Sequence, residues 1–184
     1  MEEAPISTSY TTGQVASSGK FSQIYGRIAV RAKFSAATVA GIHSALWMWP
    51  QNLPTTGLNG EIDIVEWYSQ IPTLVMPTLH YRFDYATVDP VTNTNAATTW
   101  SCTMPNASSA FHEYAVEWTP ARFVFSYDGQ TCLTDNLDVS GTSPFDQPYF
   151  LALTQAMGNG TNALDPASSP LPATTQIDWV RAWK

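Results

Sequence analysis

Apolar and polar residues alternate with a period of two through much of this chain, in short runs broken by Pro, Gly, Ser, Thr and Asn. The 3.6-residue spacing of an amphipathic helix is hard to find. Between Ile24 and Phe34, the residues Ile28, Val30, Ala32 and Phe34 fall on one face and Arg27, Ala29, Arg31 and Lys33 on the other, which predicts a half-buried strand. The same pattern predicts strands at Ile42–Trp49, Glu61–Tyr68, Thr78–Asp84, His112–Trp118, Phe123–Tyr127, Pro148–Met157 and Gln176–Trp183. Asp128-Gly129 reads as a tight hairpin turn leading into a further strand at Gln130–Leu133. The polar stretches Thr87–Thr99 and Asn159–Thr175 read as loops. Many short strands, regular turn signals and no helices predict an all-β fold, an antiparallel two-sheet sandwich or jelly roll. With 184 residues, no internal repeat and no linker, residues 1–184 are expected to form one domain with a sizeable core.

Composition narrows the partners. Charged residues make up only 12% of the chain, about half the roughly 25% of an ordinary soluble domain. Fifteen acids against eight bases leave a net charge of −7, so nothing is available to neutralise a phosphate backbone and nucleic acid is excluded as a partner. No apolar run approaches the roughly 20 residues needed to span a bilayer, and no basic amphipathic stretch suits its surface, so a membrane is not expected either. The start, Met1-Glu2-Glu3-Ala4-Pro5, has none of the features of a signal peptide, which leaves a cytosolic protein or one whose leader has been removed. Cys102 and Cys132 are the only cysteines. They are the minimum for one disulfide, which is the favoured reading over two core thiols and would suit an oxidising compartment. A cysteine-based metal site lacks ligands, since His112 is the only histidine between them.

The chemistry concentrates in Glu61-Ile62-Asp63-Ile64-Val65-Glu66, three of the fifteen acids within six residues. On a regular strand Glu61 and Asp63 share a face, but Glu66 has the parity of Ile62 and Ile64, which would push its carboxylate into the apolar layer. A one-residue β-bulge near Val65 would return it to the face of the other two. The glutamates would then stand roughly 13 Å apart at Cα, near enough for their side chains to lean together around Asp63. Carboxyls placed this way suit the two sides of a glycosidic bond, about 5 Å apart for retention or about 6.5–9.5 Å for inversion, and parity leaves both open. Repulsion would keep one of them protonated near neutral pH beside an ionised neighbour. The plainer alternative is an acidic surface strand, against which stands the absence of any Lys or Arg between Lys33 and Arg82.

These residues resemble the E-x-D-x-x-E signature of glycoside hydrolase family 16 in its bulged, laminarinase-like form. The likeness extends along the chain through Tyr25-Gly26-Arg27, Val30–Lys33, Ser44–Pro50, Thr78–Tyr81, Phe111–Pro120, Asp128-Gly129 and Ile177–Arg181, in the family's order. It implies a β-jelly roll with a concave cleft and retaining hydrolysis of a β-linked polysaccharide. Glu61 would be the nucleophile, Glu66 the acid and base, and Asp63 a hydrogen-bond partner of the nucleophile, with Glu66 protonated and Glu61 ionised and the pH optimum therefore on the acidic side of neutrality. Trp47, Trp49, Arg31 and His80 match cleft residues of the family. Gln155, a polar residue inside the apolar run Tyr149–Met157, is a further candidate for a sugar hydroxyl. Trp67 and Trp118 read as packing residues.

The resemblance implies no required cofactor and a secreted, monomeric enzyme acting on β-glucan, with β-1,3-glucan favoured. Mixed-linkage β-1,3-1,4-glucan and agar-type galactan are the alternatives within the class, and a non-catalytic glucan-binding protein or a transglycosylase stands further off. Two departures are visible. His43-Ser44 stands where the family usually has Trp-Pro, which alters one wall of the cleft. The strands that members usually carry before the segment matching Tyr10–Gly13 are missing, and with them part of a structural calcium site that nothing in this sequence supports.

Overall fold

The computed structural model describes residues 9–52, 60–81, 96–136 and 144–184. They form β1 (Gly13–Ala16), β2 (Gly26–Lys33), β3 (Ile42–Pro50), β4 (Glu61–Tyr68), β5 (Met76–His80), β6 (Ala96–Thr98), β7 (His112–Thr119), β8 (Arg122–Tyr127), β9 (Gln130–Asp135), β10 (Tyr149–Met157) and β11 (Gln176–Trp183), with one 3-10 turn at Gly160–Asn162. Two antiparallel sheets result, one ordered β1-β10-β3-β4-β5-β6 and the other β11-β2-β7-β8-β9. The chain is therefore an all-β jelly-roll sandwich, as its alternation predicts. β4 and β11 have the predicted bounds, and Asp128-Gly129 turns between β8 and β9 with φ of 46° and 77°, the left-handed pair that a two-residue hairpin requires.

Two strands escape the pattern. β1 is short and exposed along its length, and β6 has three residues inside the stretch read as a loop. Both lie at edges of the six-stranded sheet, where backbone pairing rather than side-chain burial defines them. The rest of that loop reading, and residues 82–84 of the strand expected at Thr78–Asp84, lie outside the described residues.

The inner faces meet in one apolar core. β2 contributes Ile28, Val30 and Ala32, β3 contributes Leu46 and Met48, and β7 and β8 add Val116, Trp118, Phe123 and Phe125. Trp67 stacks on Phe34 with ring centroids 5.5 Å apart and planes at 12°, and its Nε1 donates to the Pro72 carbonyl at 3.0 Å. Trp67 and Trp118 are thus packing residues, both fully buried. Cys102 and Cys132 are joined in a disulfide that ties the segment after β6 to β9 across a separation of 30 residues. Replacing both with Ser is expected to cost about 3–4 kcal/mol, the chain-entropy value for a loop of that size. A denaturant midpoint equal to that of the parent under oxidising conditions would refute it.

Candidate active site

The six-stranded sheet presents β4 at its middle, and the register on both sides of that strand is broken at the same place. Against β3, Leu46 pairs with Val65 but Trp47 with Asp63. Against β5, Thr78 pairs with Asp63 but Met76 with Glu66. β4 therefore carries one residue more than its neighbours between Asp63 and Glu66, a bulge at Ile64–Val65. Ile62, Ile64, Val65 and Trp67 all lie in the core, while Glu61, Asp63 and Glu66 turn to the opposite face. The extra residue leaves Ile64 out of both ladders, and its buried carbonyl accepts the Tyr127 hydroxyl at 2.9 Å from β8 of the other sheet. The bulge is thereby pinned from behind.

On the carboxylate face, β3 sets His43, Trp47 and Trp49 beside β4, because Ile42, Ser44, Leu46 and Met48 are taken into the interior. The rings of Trp47 and Trp49 stand edge to face, 6.1 Å apart, and Trp47 Nε1 donates to Thr154 Oγ1 at 2.9 Å. From β5, His80 pairs with Glu61 in the register and brings Nε2 to 3.3 Å from Asp63 Oδ2. Glu66 accepts from the Tyr68 hydroxyl at 2.6 Å and from Thr78 Oγ1 at 3.0 Å, and His43 Nε2 stands 3.5 Å from its Oε1. His43, Tyr68, Thr78 and Thr154 are members of this face that the motif does not name. Parity offered a signal for three of them, since His43 matches Trp47, Tyr68 matches Glu66 and Thr78 matches His80.

Two expected cleft residues are elsewhere. Arg31 lies on β2 in the five-stranded sheet, between Trp179 and Glu113, with an ion pair to Asp178 and its guanidinium 5.1 Å over the Phe111 ring. It does lie on the polar face of its strand, but because Ile28, Val30 and Ala32 fill the core, that face is the outer one of the other sheet. Gln155 pairs with the fully buried Ser44 and so points between the sheets. Its Oε1 accepts from Ser44 Oγ at 3.2 Å and Thr175 Oγ1 at 2.7 Å, so hydroxyls of the protein meet the demand expected of a sugar.

The protons are distributed by burial and by these contacts. Burial pushes the Glu61 carboxyl up to about 8, helped by the charge of Asp63 and opposed by His80. Asp63 is also raised, by burial and by the charge of Glu66. At Glu66 burial works the same way but is outweighed by the His43 imidazole that faces it and by donation from the Tyr68 hydroxyl and from Thr78, and its proton affinity is lowered. These contacts favour ionisation at Glu66 and protonation on the Glu61–Asp63 side. This reverses the expected polarity, because the donors gather on Glu66, a detail of neighbouring strands that spacing along β4 does not contain. Among the described residues no cluster of three His, Cys, Asp or Glu side chains is arranged to hold a metal ion.

The model of the family Glycosyl hydrolases family 16 matches residues 2–181. The chain is 28% identical over 186 residues to the glucan endo-1,3-beta-glucosidase A1 of Niallia circulans, covering 95% of this chain and 26% of that protein. It is 32% identical over 190 residues to a beta-glucanase of Rhodothermus marinus, covering 95% of this chain and 63% of the relative. The chain thus spans less than two thirds of the length of either. Among solved structures, the catalytic domain of an endo-1,3-beta-glucanase (laminarinase) from Thermotoga petrophila RKU-1 superposes with a TM-score of 0.76 at 28% identity, over 93% of this chain and 68% of that one.

Proposed function

Because the chain belongs to glycosyl hydrolases family 16, we propose that it is a retaining endo-β-glucanase, one catalytic domain that cleaves β-1,3-glucan. The observation that carries this is the bulge in β4, which turns Glu61, Asp63 and Glu66 to one face beside Trp47 and Trp49. The flat indole rings suit the apolar faces of glucose units, and with charged residues at 12% of the chain, recognition of a neutral polysaccharide rests on rings and hydroxyls.

In the productive state Glu66 holds the proton and Glu61 is ionised. Glu61 attacks the anomeric carbon while Glu66 passes its proton to the departing glycosidic oxygen, giving a glycosyl ester on Glu61 and a free chain end. Glu66, now a carboxylate, takes a proton from water. The resulting hydroxide attacks the same carbon, breaks the ester and releases Glu61, so the anomeric configuration is retained. Asp63, with its raised proton affinity, relays the one shared proton from Glu61 toward Glu66 before attack. The steps use carboxyl groups and water and require no cofactor. The disulfide fits an oxidising compartment outside the cytoplasm.

Release of reducing ends from laminarin, mixed-linkage glucan, agarose and xyloglucan tests the assignment. Laminarin is expected to be cut fastest, into oligosaccharides of intermediate length, and binding without release would overturn the hydrolytic reading. The pH dependence follows from the shared proton. Activity needs one proton on the triad, so kcat/KM is expected to fall as pH rises through about 8, where Glu61 loses it. A rate still rising at pH 9 would contradict that.

A further inference from the structure

The least expected residue on the carboxylate face is His43, which departs from the family's usual Trp and stands directly across from Tyr68 in the β3–β4 register. Its ring stacks on that of Tyr68 with centroids 4.4 Å apart and planes at 8°. The hydroxyl of the same Tyr68 donates to Glu66 Oε1, the oxygen that His43 Nε2 faces at 3.5 Å. At that length Nε2 makes no full hydrogen bond, and it is buried with no other partner. A small rotation of Glu66 would close the gap. An aromatic platform, an aimed and unpartnered nitrogen and a shared acceptor oxygen make a unit directed at one carboxylate.

We propose that His43 is a positioning residue that decides which carboxyl of the triad carries the shared proton, a role that rests on Glu66 being the acid and base. By facing Glu66 with a donor or a cation, His43 favours that carboxylate and leaves the proton with Glu61 and Asp63. The hydrogen bonds from Tyr68 and Thr78 act in the same direction. Glu66 and Tyr68 are the titratable groups that face His43 from β4, Asp63 acts on Glu66 in turn, and on the other flank β10 sets Ala156 beside it. The arrangement keeps activity at low pH, because a second proton enters Glu66 with difficulty. It also lowers the rate between the limbs, because the productive arrangement of one proton is the disfavoured one.

The sign of the test follows. Replacing His43 with Gln, or with Trp as in the family, makes Glu66 easier to protonate. The acid limb of kcat/KM is expected to move to higher pH, with a several-fold loss at pH 5 relative to pH 7. His43→Lys, which fixes a cation, is expected to leave that limb in place or move it lower. Packing alone would change stability or KM and leave the limb where it is, so an acid limb unmoved in both His43→Gln and His43→Trp overturns the proposal. Titration of carbon-13-labelled glutamate in the parent and in His43→Gln reads the same displacement without substrate. If the parent cleaves no β-glucan but the Glu66 resonance titrates higher in His43→Gln, the hydrolase reading fails and the coupling of His43 to Glu66 stands.

Discussion

Glu61→Gln is expected to lower kcat on laminarin at least about a thousandfold with the fold intact, as loss of a nucleophile does in other covalent mechanisms. The amide keeps the shape and the hydrogen bonds of the carboxyl but has no charge with which to form the glycosyl ester. Glu66→Gln is expected to cost about 10²–10⁴-fold, the range for removing a general acid. The two losses differ in kind. On an aryl glucoside whose leaving group needs no proton, a Glu66→Ala variant still forms the intermediate, and added azide should release it as a glycosyl azide of retained configuration. In Glu61→Ala azide should enter from the vacated face and give the inverted product. Activity in Glu61→Gln within tenfold of the parent, or the opposite pairing of azide products, would remove these assignments.

Trp67→Ala is expected to be among the most damaging single changes to stability. The ring is fully buried, stacked on Phe34 and hydrogen-bonded to Pro72. Its truncation should cost roughly 3–5 kcal/mol, against a total of about 5–15 kcal/mol for a typical domain. The loss comes from lost dispersion contacts, an incompletely collapsed cavity and a carbonyl left without its donor. A drop in the urea midpoint corresponding to less than about 1.5 kcal/mol would mean that the cavity refills easily and that Trp67 is not central to the sandwich. The position also explains why the carboxylates face as they do. Val65 and Trp67 are drawn into the core together, and the single residue between them, Glu66, is forced out.

Much of the fold was written in the alternation, because a half-buried strand must place apolar residues at every second position. β11 and β4 could be read to their ends, and the Asp128-Gly129 turn by its residue types alone. The bulge was legible for a related reason, since three carboxylates and four apolar residues fit β4 only if one residue is added between Asp63 and Glu66. β1 and β6 were not legible, because edge strands are defined by a partner's backbone. Nor were the places of Arg31, whose strand face parity gave but not the sheet on which that face lies, and of Gln155, whose partners Ser44 and Thr175 come from elsewhere in the chain.

Fold class, the single-face triad and its family are thus legible in the chain alone, since each follows from order and parity along a strand and from a motif whose residues are close in the chain. Three-dimensional packing chose the neighbours of the triad. It brought His43 and Tyr68 together across the β3–β4 register, set Thr78 and His80 beside the acids from β5, and let Tyr127 reach the bulge from the opposite sheet. Those neighbours come from strands separated by tens of residues, and pKa values depend on distances of a few ångströms. The donors that favour ionisation at Glu66 over Glu61 and Asp63 are therefore supplied by packing across strands.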